Sequence, residues 1–150
     1  MKVQTKFIGE VDVHAEEIIT FVRGLPAFED ETEFVILPFA EGTPFYILQS
    51  LKTVNTAFIV VNPFHFFNDY SVKLTDSTIE KLTIEKEEDV AIYTIVNIKE
   101  PFAESTVNLQ GPIVINTANQ KGTQFVMVES DYGTKHNLIP KETTKVGEGK

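Results

Sequence analysis

Cysteine is absent from this chain of 150 residues. That excludes disulfides, thiol nucleophiles and thiolate metal sites together, and it fits a reducing compartment. Long apolar runs are missing too: none approaches the ~20 residues that a membrane-spanning helix requires. The opening "MKVQTKFIGEV" has no apolar core of signal-peptide length. A soluble, cytoplasmic, globular protein with no membrane contact is therefore expected. Arginine is nearly absent, represented by Arg23 alone, and 13 basic residues face 22 acidic ones for a formal net charge of −9. Such a surface repels phosphate backbones, so direct nucleic-acid binding by counterion release is not expected. The same charge serves plain solubility, or speeds the encounter with a basic partner in a salt-sensitive way.

Motifs of catalysis are missing as well. There is no G-x-S-x-G elbow and no glycine loop of the G-x-x-x-x-G-K-[ST] or G-x-G-x-x-G kind. His14, His65 and His136 stand apart, without the spacing of metal ligands, and read as surface or half-buried side chains. Carboxylates are so plentiful that no particular pair stands out as an acid–base couple. The residues give no reason to expect an enzyme, a cofactor or a metal.

What is present is a succession of short β-type runs. Strands are expected at 2–8, 10–13, 17–22, 33–37, 44–50, 56–62, 70–74, 90–98, 104–109, 112–116 and 123–129. Eleven runs are a few too many, and 2–8 with 10–13 can be one bent strand. Turn signals separate them: Gly9, Gly24 with Pro26, Glu41-Gly42, Asn62-Pro63, Gly111-Pro112 and Lys121-Gly122. In "DVAIYTIVNIKE", Val90, Ile92, Thr94, Val96 and Ile98 share one face, while Ala91, Tyr93 and Ile95 share the other. Apolar residues on both faces imply a strand covered on both sides. The fold class expected is mainly β, a small antiparallel barrel or two packed sheets, in a single domain over 1–139. One or two short helices complete it. "TDSTIEKLTIEKEEDV" offers Asp76 or Ser77 as N-cap, with Ser77 and Glu80 at capping-box spacing and Ile79 and Leu82 on one face. This helix is expected to cover a barrel end. The polar stretch from 140 to 150 reads as a disordered tail.

Three stretches are candidates for contact. "FEDETE" and "EKEEDV" gather carboxylates beside expected loops, either as solvated turns or as interaction patches. "NPFHFFNDY" carries Phe64, Phe66, Phe67 and Tyr70 after an Asn-Pro break, where aromatics either anchor a partner or plug a barrel end. In "STVNLQGPIVIN", at 105–116, Thr106, Asn108 and Gln110 project to one side and Val107 and Leu109 to the other. Gly111-Pro112 makes a corner, and Pro112 can open the next strand because a first residue need not donate.

The order and spacing of "FVRGLPAFED", "PFYILQSL", "AFIVVNPF", "DVAIYTIVNI", "STVNLQGPIVIN" and "TQFVM", followed by the stretch from Tyr132 to His136, resemble the flagellar assembly factor FliW family over about residues 3–139. Ala27 stands where a small residue, often Gly, is expected. The matching motif positions are Phe21, Gly24, Leu25, Pro26, Gln49, Asn62, Pro63, Thr106, Asn108, Pro112 and Asn116. The resemblance implies a β-barrel-like cytoplasmic protein, monomeric when free, that works as a partner switch. It implies binding to the translational regulator CsrA, a basic RNA-binding dimer, which relieves repression of flagellin mRNA, and alternative binding to free flagellin. For CsrA the residues favoured are Glu29, Asp30, Glu31, Glu33, Glu85, Glu87, Glu88 and Asp89. For flagellin, whose terminal helices are amphipathic, they are Phe64, Phe66, Phe67 and Tyr70. The alternative from another class is a small-molecule-binding or enzymatic barrel, which calls for a deep apolar pocket with converging polar groups.

Overall fold

The structure is a computed structural model that describes residues 1–26, 28–127 and 130–139. Ala27, the end of the run expected at 123–129, and the tail from 140 lie outside the described residues.

The chain opens with a hairpin of β1 (Lys2–Gln4) and β2 (Glu10–Asp12), paired antiparallel as a sheet of its own. Thr5 ties its turn, donating its hydroxyl to the Gly9 carbonyl at 2.6 Å. The two runs at 2–8 and 10–13 are thus separate strands, not one bent strand. The remaining strands form one sheet. They are β3 (Ile19–Thr20), β4 (Glu33–Pro38), β5 (Phe45–Ser50), β6 (Ala57–Val61), β7 (Val90–Asn97), β8 (Thr106–Val107), β9 (Ile113–Asn116), β10 (Lys121–Gln124) and β11 (His136–Asn137). Their order is β11-β8-β7-β6-β5-β4-β3-β10-β9, and β7 also pairs with β9. That extra pairing closes β3, β4, β5, β6, β7, β9 and β10 into a ring, with β8 and β11 as a spur on β7. Among the described residues all ladders are antiparallel except the single parallel contact of Lys121 with Thr20. The barrel expected from two-faced strands is present, and closure leaves its seven strands without a free edge within the ring.

The alternation along each strand explains the two layers of core. Phe34, Leu48, Val60, Ile113 and Ile115 point into the barrel with Phe21, Leu25 and Ile19, joined by Ala91, Tyr93 and Ile95 of β7. Their odd-even partners Ile47, Ile59, Val61 and Val96 point outward and are covered by Val107, Leu109, Tyr70 and Leu138. Val35 packs outward against Val3 and Val13 of the N-terminal hairpin. Each face of the barrel wall is thereby buried against something, as its unbroken hydrophobicity requires.

Four local expectations differ from what is observed. Tyr70 to Leu74 alternate in burial as a strand would, but they join no ladder among the described residues. Asn62-Pro63 opens a helix, α1 (Pro63–Phe66), instead of a loop. Asn62 accepts from the Phe64 N–H at 2.9 Å, and proline occupies the first turn, where its missing donor costs nothing. The second helix, α2 (Asp76–Lys81), is capped by Thr75 and not by Asp76 or Ser77: the Thr78 N–H donates to Thr75 Oγ1 at 3.2 Å. Lys121-Gly122 is not a turn but the start of β10. The turn is the preceding Thr117 to Gln120, where Gln120 takes a positive φ of 59°. Gly122 is required for a different reason: a Cβ there would meet the Phe21 ring at 2.9 Å. Gly24, by contrast, does serve a turn, with φ of +65° and a Cβ position 2.6 Å from the Glu29 and Phe28 carbonyl oxygens. Among the described residues, no helix is long and apolar enough to cross a membrane.

Candidate functional site

The polar members of the family-like motifs are structural. Gln49 is fully buried, and its amide serves three backbone groups. Oε1 accepts from the Lys6 N–H at 2.9 Å, and Nε2 donates to the Ser50 and Val54 carbonyls at 3.0 Å each. Asn108 Oδ1 accepts from the Gln110 and Gly111 N–H groups at 3.1 and 2.9 Å, shaping the corner before Pro112. Asn116 donates to the Leu82 and Thr83 carbonyls at 2.9 and 3.1 Å, fastening the end of α2 to the β9–β10 turn. Thr106 lies in the short ladder opposite Asn97 and Asn137. Phe21 and Leu25 fill the barrel, Pro63 and Pro112 are buried, and Pro26 is exposed beside Gly24. Gln49, Asn108 and Asn116 thus satisfy irregular backbone that no ladder reaches.

Glu31 departs from the expectation of a contact residue. It is 8% exposed, and both its oxygens are engaged, one by the Ser50 hydroxyl and the other by Thr53 Oγ1 at 2.8 Å. It pins the 50–53 turn to the loop before β4. The Ser50 hydrogen bond holds its carboxyl below the ordinary value of 4.5, against the opposing effect of burial and with help from Thr53 and Lys52. Because the folded-state value is the lower one, the stabilisation is fully present above about 4.5 and is lost as pH falls through the folded value. Glu31→Gln is therefore expected to lower the urea midpoint at pH 7 and to narrow its deficit against wild type as pH falls below 4. An equal deficit at both pH values would refute the assignment. Glu29, Asp30 and Glu33 remain at the surface.

The aromatic stretch divides in the same way. Tyr70 is 4% exposed, donates its hydroxyl to the Leu109 carbonyl at 2.7 Å and stacks edge-on against Tyr132 at 4.7 Å. Burial, then the neighbouring Tyr132, pushes its phenol pKa well up. Phe66 and Phe67 are half-buried against the outer core layer. These three residues plug the structure, so they do not form an exposed anchor. Phe64 alone is presented, 40% exposed.

Phe64 stands on the rim of a groove of about 920 Å³ between the 62–74 segment, α2 and β7. Val72, Leu74, Ile79, Ile84 and Ile92 make it apolar, while Glu85 and Glu87 set carboxylates on its edge, with Lys73 as the one cation. Glu88 is exposed beside them in the 3₁₀ turn Glu87–Asp89, and Asp89 accepts from the Thr117 N–H and hydroxyl through its carbonyl, both at 2.8 Å. Two stretches read separately in the sequence thus meet at one place. The first acidic stretch, Glu29 to Glu33, does not line this groove.

A second groove, of about 600 Å³, leaves no mark in any one stretch of the sequence. Phe7, Phe39, Ile98 and Phe102 are each more than a third exposed around it, and edge-on contacts join Phe7 to Phe39 at 5.9 Å and Phe45 to Phe102 at 5.9 Å. Its members are far apart in the chain, so only folding collects them. The three histidines are held in separate elements: His14 before a 3₁₀ turn, His65 on α1, and His136 in β11, accepting from the Gly133 N–H at 2.7 Å. Among the described residues no three potential metal ligands cluster.

Comparison with known proteins agrees with this architecture. The family model described as FliW protein matches residues 2–138. A flagellar assembly factor FliW of Geobacillus kaustophilus (strain HTA426) is 43% identical over 145 residues, covering 97% of this chain and all of the relative. Its counterpart in Bacillus subtilis (strain 168) is 46% identical over 138 residues, covering 92% and 96%. A crystal structure of the flagellar assembly factor FliW superposes with a TM-score of 0.89 at 41% identity, covering 95% of this chain and 99% of that one.

Proposed function

The chain belongs to the FliW family of flagellar assembly factors, and from that premise we propose that it is a cytoplasmic, non-enzymatic antagonist that binds the basic regulator CsrA and, alternatively, free flagellin. The observation that carries this reading is the shared groove: Phe64 and an apolar floor lie beside Glu85 and Glu87. The carboxylates suit a cationic regulator, with fast and salt-sensitive association. The apolar floor suits one face of an amphipathic helix. Because both features occupy one groove, the two partners would exclude each other, and mass action would make each deplete the pool available to the other.

A barrel that carries or transforms a small molecule would need a hollow interior. Phe21, Phe34, Leu48, Val60 and Ile113 have no exposed surface and fill this one. That favours a protein that works on its outer surface.

The test is reconstitution. With CsrA and labelled flagellin leader RNA present, the full chain is expected to release RNA from CsrA, and added flagellin to restore the CsrA–RNA complex. Absence of any CsrA complex at low and moderate salt alike would end the reading. Simultaneous binding of CsrA and flagellin in one ternary complex would end the shared-groove part of it.

A further inference from the structure

A different cavity, of about 270 Å³, lies at the barrel seam where β3 meets β10. Its wall carries Arg23, Lys81 and Lys121 and no carboxylate, in a chain with a formal net charge of −9. Three of 13 basic residues, including the sole arginine, have been brought from the turn after β3, the end of α2 and the start of β10. None of the three has an ion pair or a side-chain hydrogen bond among the described residues. Thr20 and Thr123 line the same cavity, and their hydroxyls likewise have no hydrogen-bond partner among those residues. Leu82, 3% exposed, and the exposed Val22 are the apolar part of the lining.

Like charges that line one cavity repel one another, and an anion bound between them relieves that repulsion. In an acidic protein, nearby carboxylates ordinarily supply that anion, but none lines this cavity. We propose that this cavity binds a phosphate or diphosphate group. Guanidinium offers paired donors matched to phosphate oxygens, the two ammonium groups add charge, and the hydroxyls add neutral donors. A cavity just under the ~300 Å³ at which ligand pockets usually begin takes the phosphoryl group and leaves its carrier outside. The ligand would bridge α2, the Arg23 turn and β10 across the parallel contact of Lys121 with Thr20. This site is separate from the Phe64 groove, and the proposal does not depend on the partner reading.

The experiment is an NMR titration of the ¹⁵N-labelled full chain with sodium pyrophosphate, inorganic phosphate and ADP, each against sodium chloride of matched ionic strength. Amide signals of Gly24, Leu82, Gly122 and Thr123 should shift saturably with pyrophosphate and hardly at all with chloride. Arg23→Gln combined with Lys121→Gln should weaken that binding by about tenfold or more, as loss of charge-assisted hydrogen bonds implies. Circular dichroism should show the fold of the variant intact, and Lys81→Gln alone supplies a second variant if it is not. Tighter binding of ADP than of pyrophosphate would identify a nucleotide as the source of the group, and equal binding a free diphosphate. Shifts that fail to saturate, that chloride reproduces, or that persist undiminished in both variants would overturn the proposal.

Discussion

Replacing Phe34 by alanine is expected to remove about 3–5 kcal/mol of stability, the range for a large aromatic lost from a packed core. Phe34 has no exposed surface, lies inside the barrel among Leu48, Val60 and Ile113, and meets the Phe21 ring edge-on at 5.3 Å. A closed ring of strands cannot contract around a missing ring without breaking its own ladders, so the cavity would persist. Against a typical total of about 5–15 kcal/mol, such a loss leaves the protein marginal or unfolded. Urea denaturation followed by far-UV circular dichroism measures it. A loss below about 1 kcal/mol would mean that the barrel interior collapses or is filled differently, since well-packed sites do not absorb truncation that cheaply.

The second large effect concerns rate and not stability. On the proposed partner reading, reversing Glu87 and Glu88 to lysine is expected to slow association with CsrA by about tenfold or more at low salt, because steering by local charge spans about 10–10³ in on-rate. Both residues are exposed in the 3₁₀ turn before β7, and neither side chain holds the turn: the closing bond runs from the Val90 N–H to the Glu87 carbonyl. Stability should therefore stay within about 0.5 kcal/mol of wild type, as for surface changes away from special features. Stopped-flow association at two salt concentrations reads the effect. Unchanged rates with an intact fold would move the acidic contact elsewhere, to Glu29, Asp30 and Glu33. Phe64→Ser, on the same groove, should weaken flagellin without altering the salt dependence of CsrA binding.

The barrel walls were legible because burial on two faces leaves a mark that any single strand carries. Val90 to Asn97 shows it within eight residues, and the observed strand keeps the expected faces. The failures have a common origin. Tyr70 to Leu74 alternates as a strand does, but a strand needs a neighbour, and alternation does not specify one. Glycine permits turns, but at Gly122 its small size answers to the Phe21 ring beside it at the β3–β10 seam. Glu31 looked like its acidic neighbours, and only the Ser50 and Thr53 hydroxyls, some twenty residues on, draw it inward. Tyr70 stands near Phe64 in sequence, and its hydrogen bond to the Leu109 carbonyl draws it inward and away from the surface that Phe64 keeps.

By itself the sequence determined a β-rich chain with both strand faces apolar, an anionic surface and a family resemblance written in its turns. These are properties of composition and of periods two residues long, which every segment carries locally. Tertiary structure alone decided that β7 meets β9 to close the ring, that Phe64 shares a groove with Glu85 and Glu87, and that Arg23, Lys81 and Lys121 surround one cavity. Those facts depend on which distant segments become neighbours, and that is settled by packing summed over the whole core, where no short stretch holds the answer.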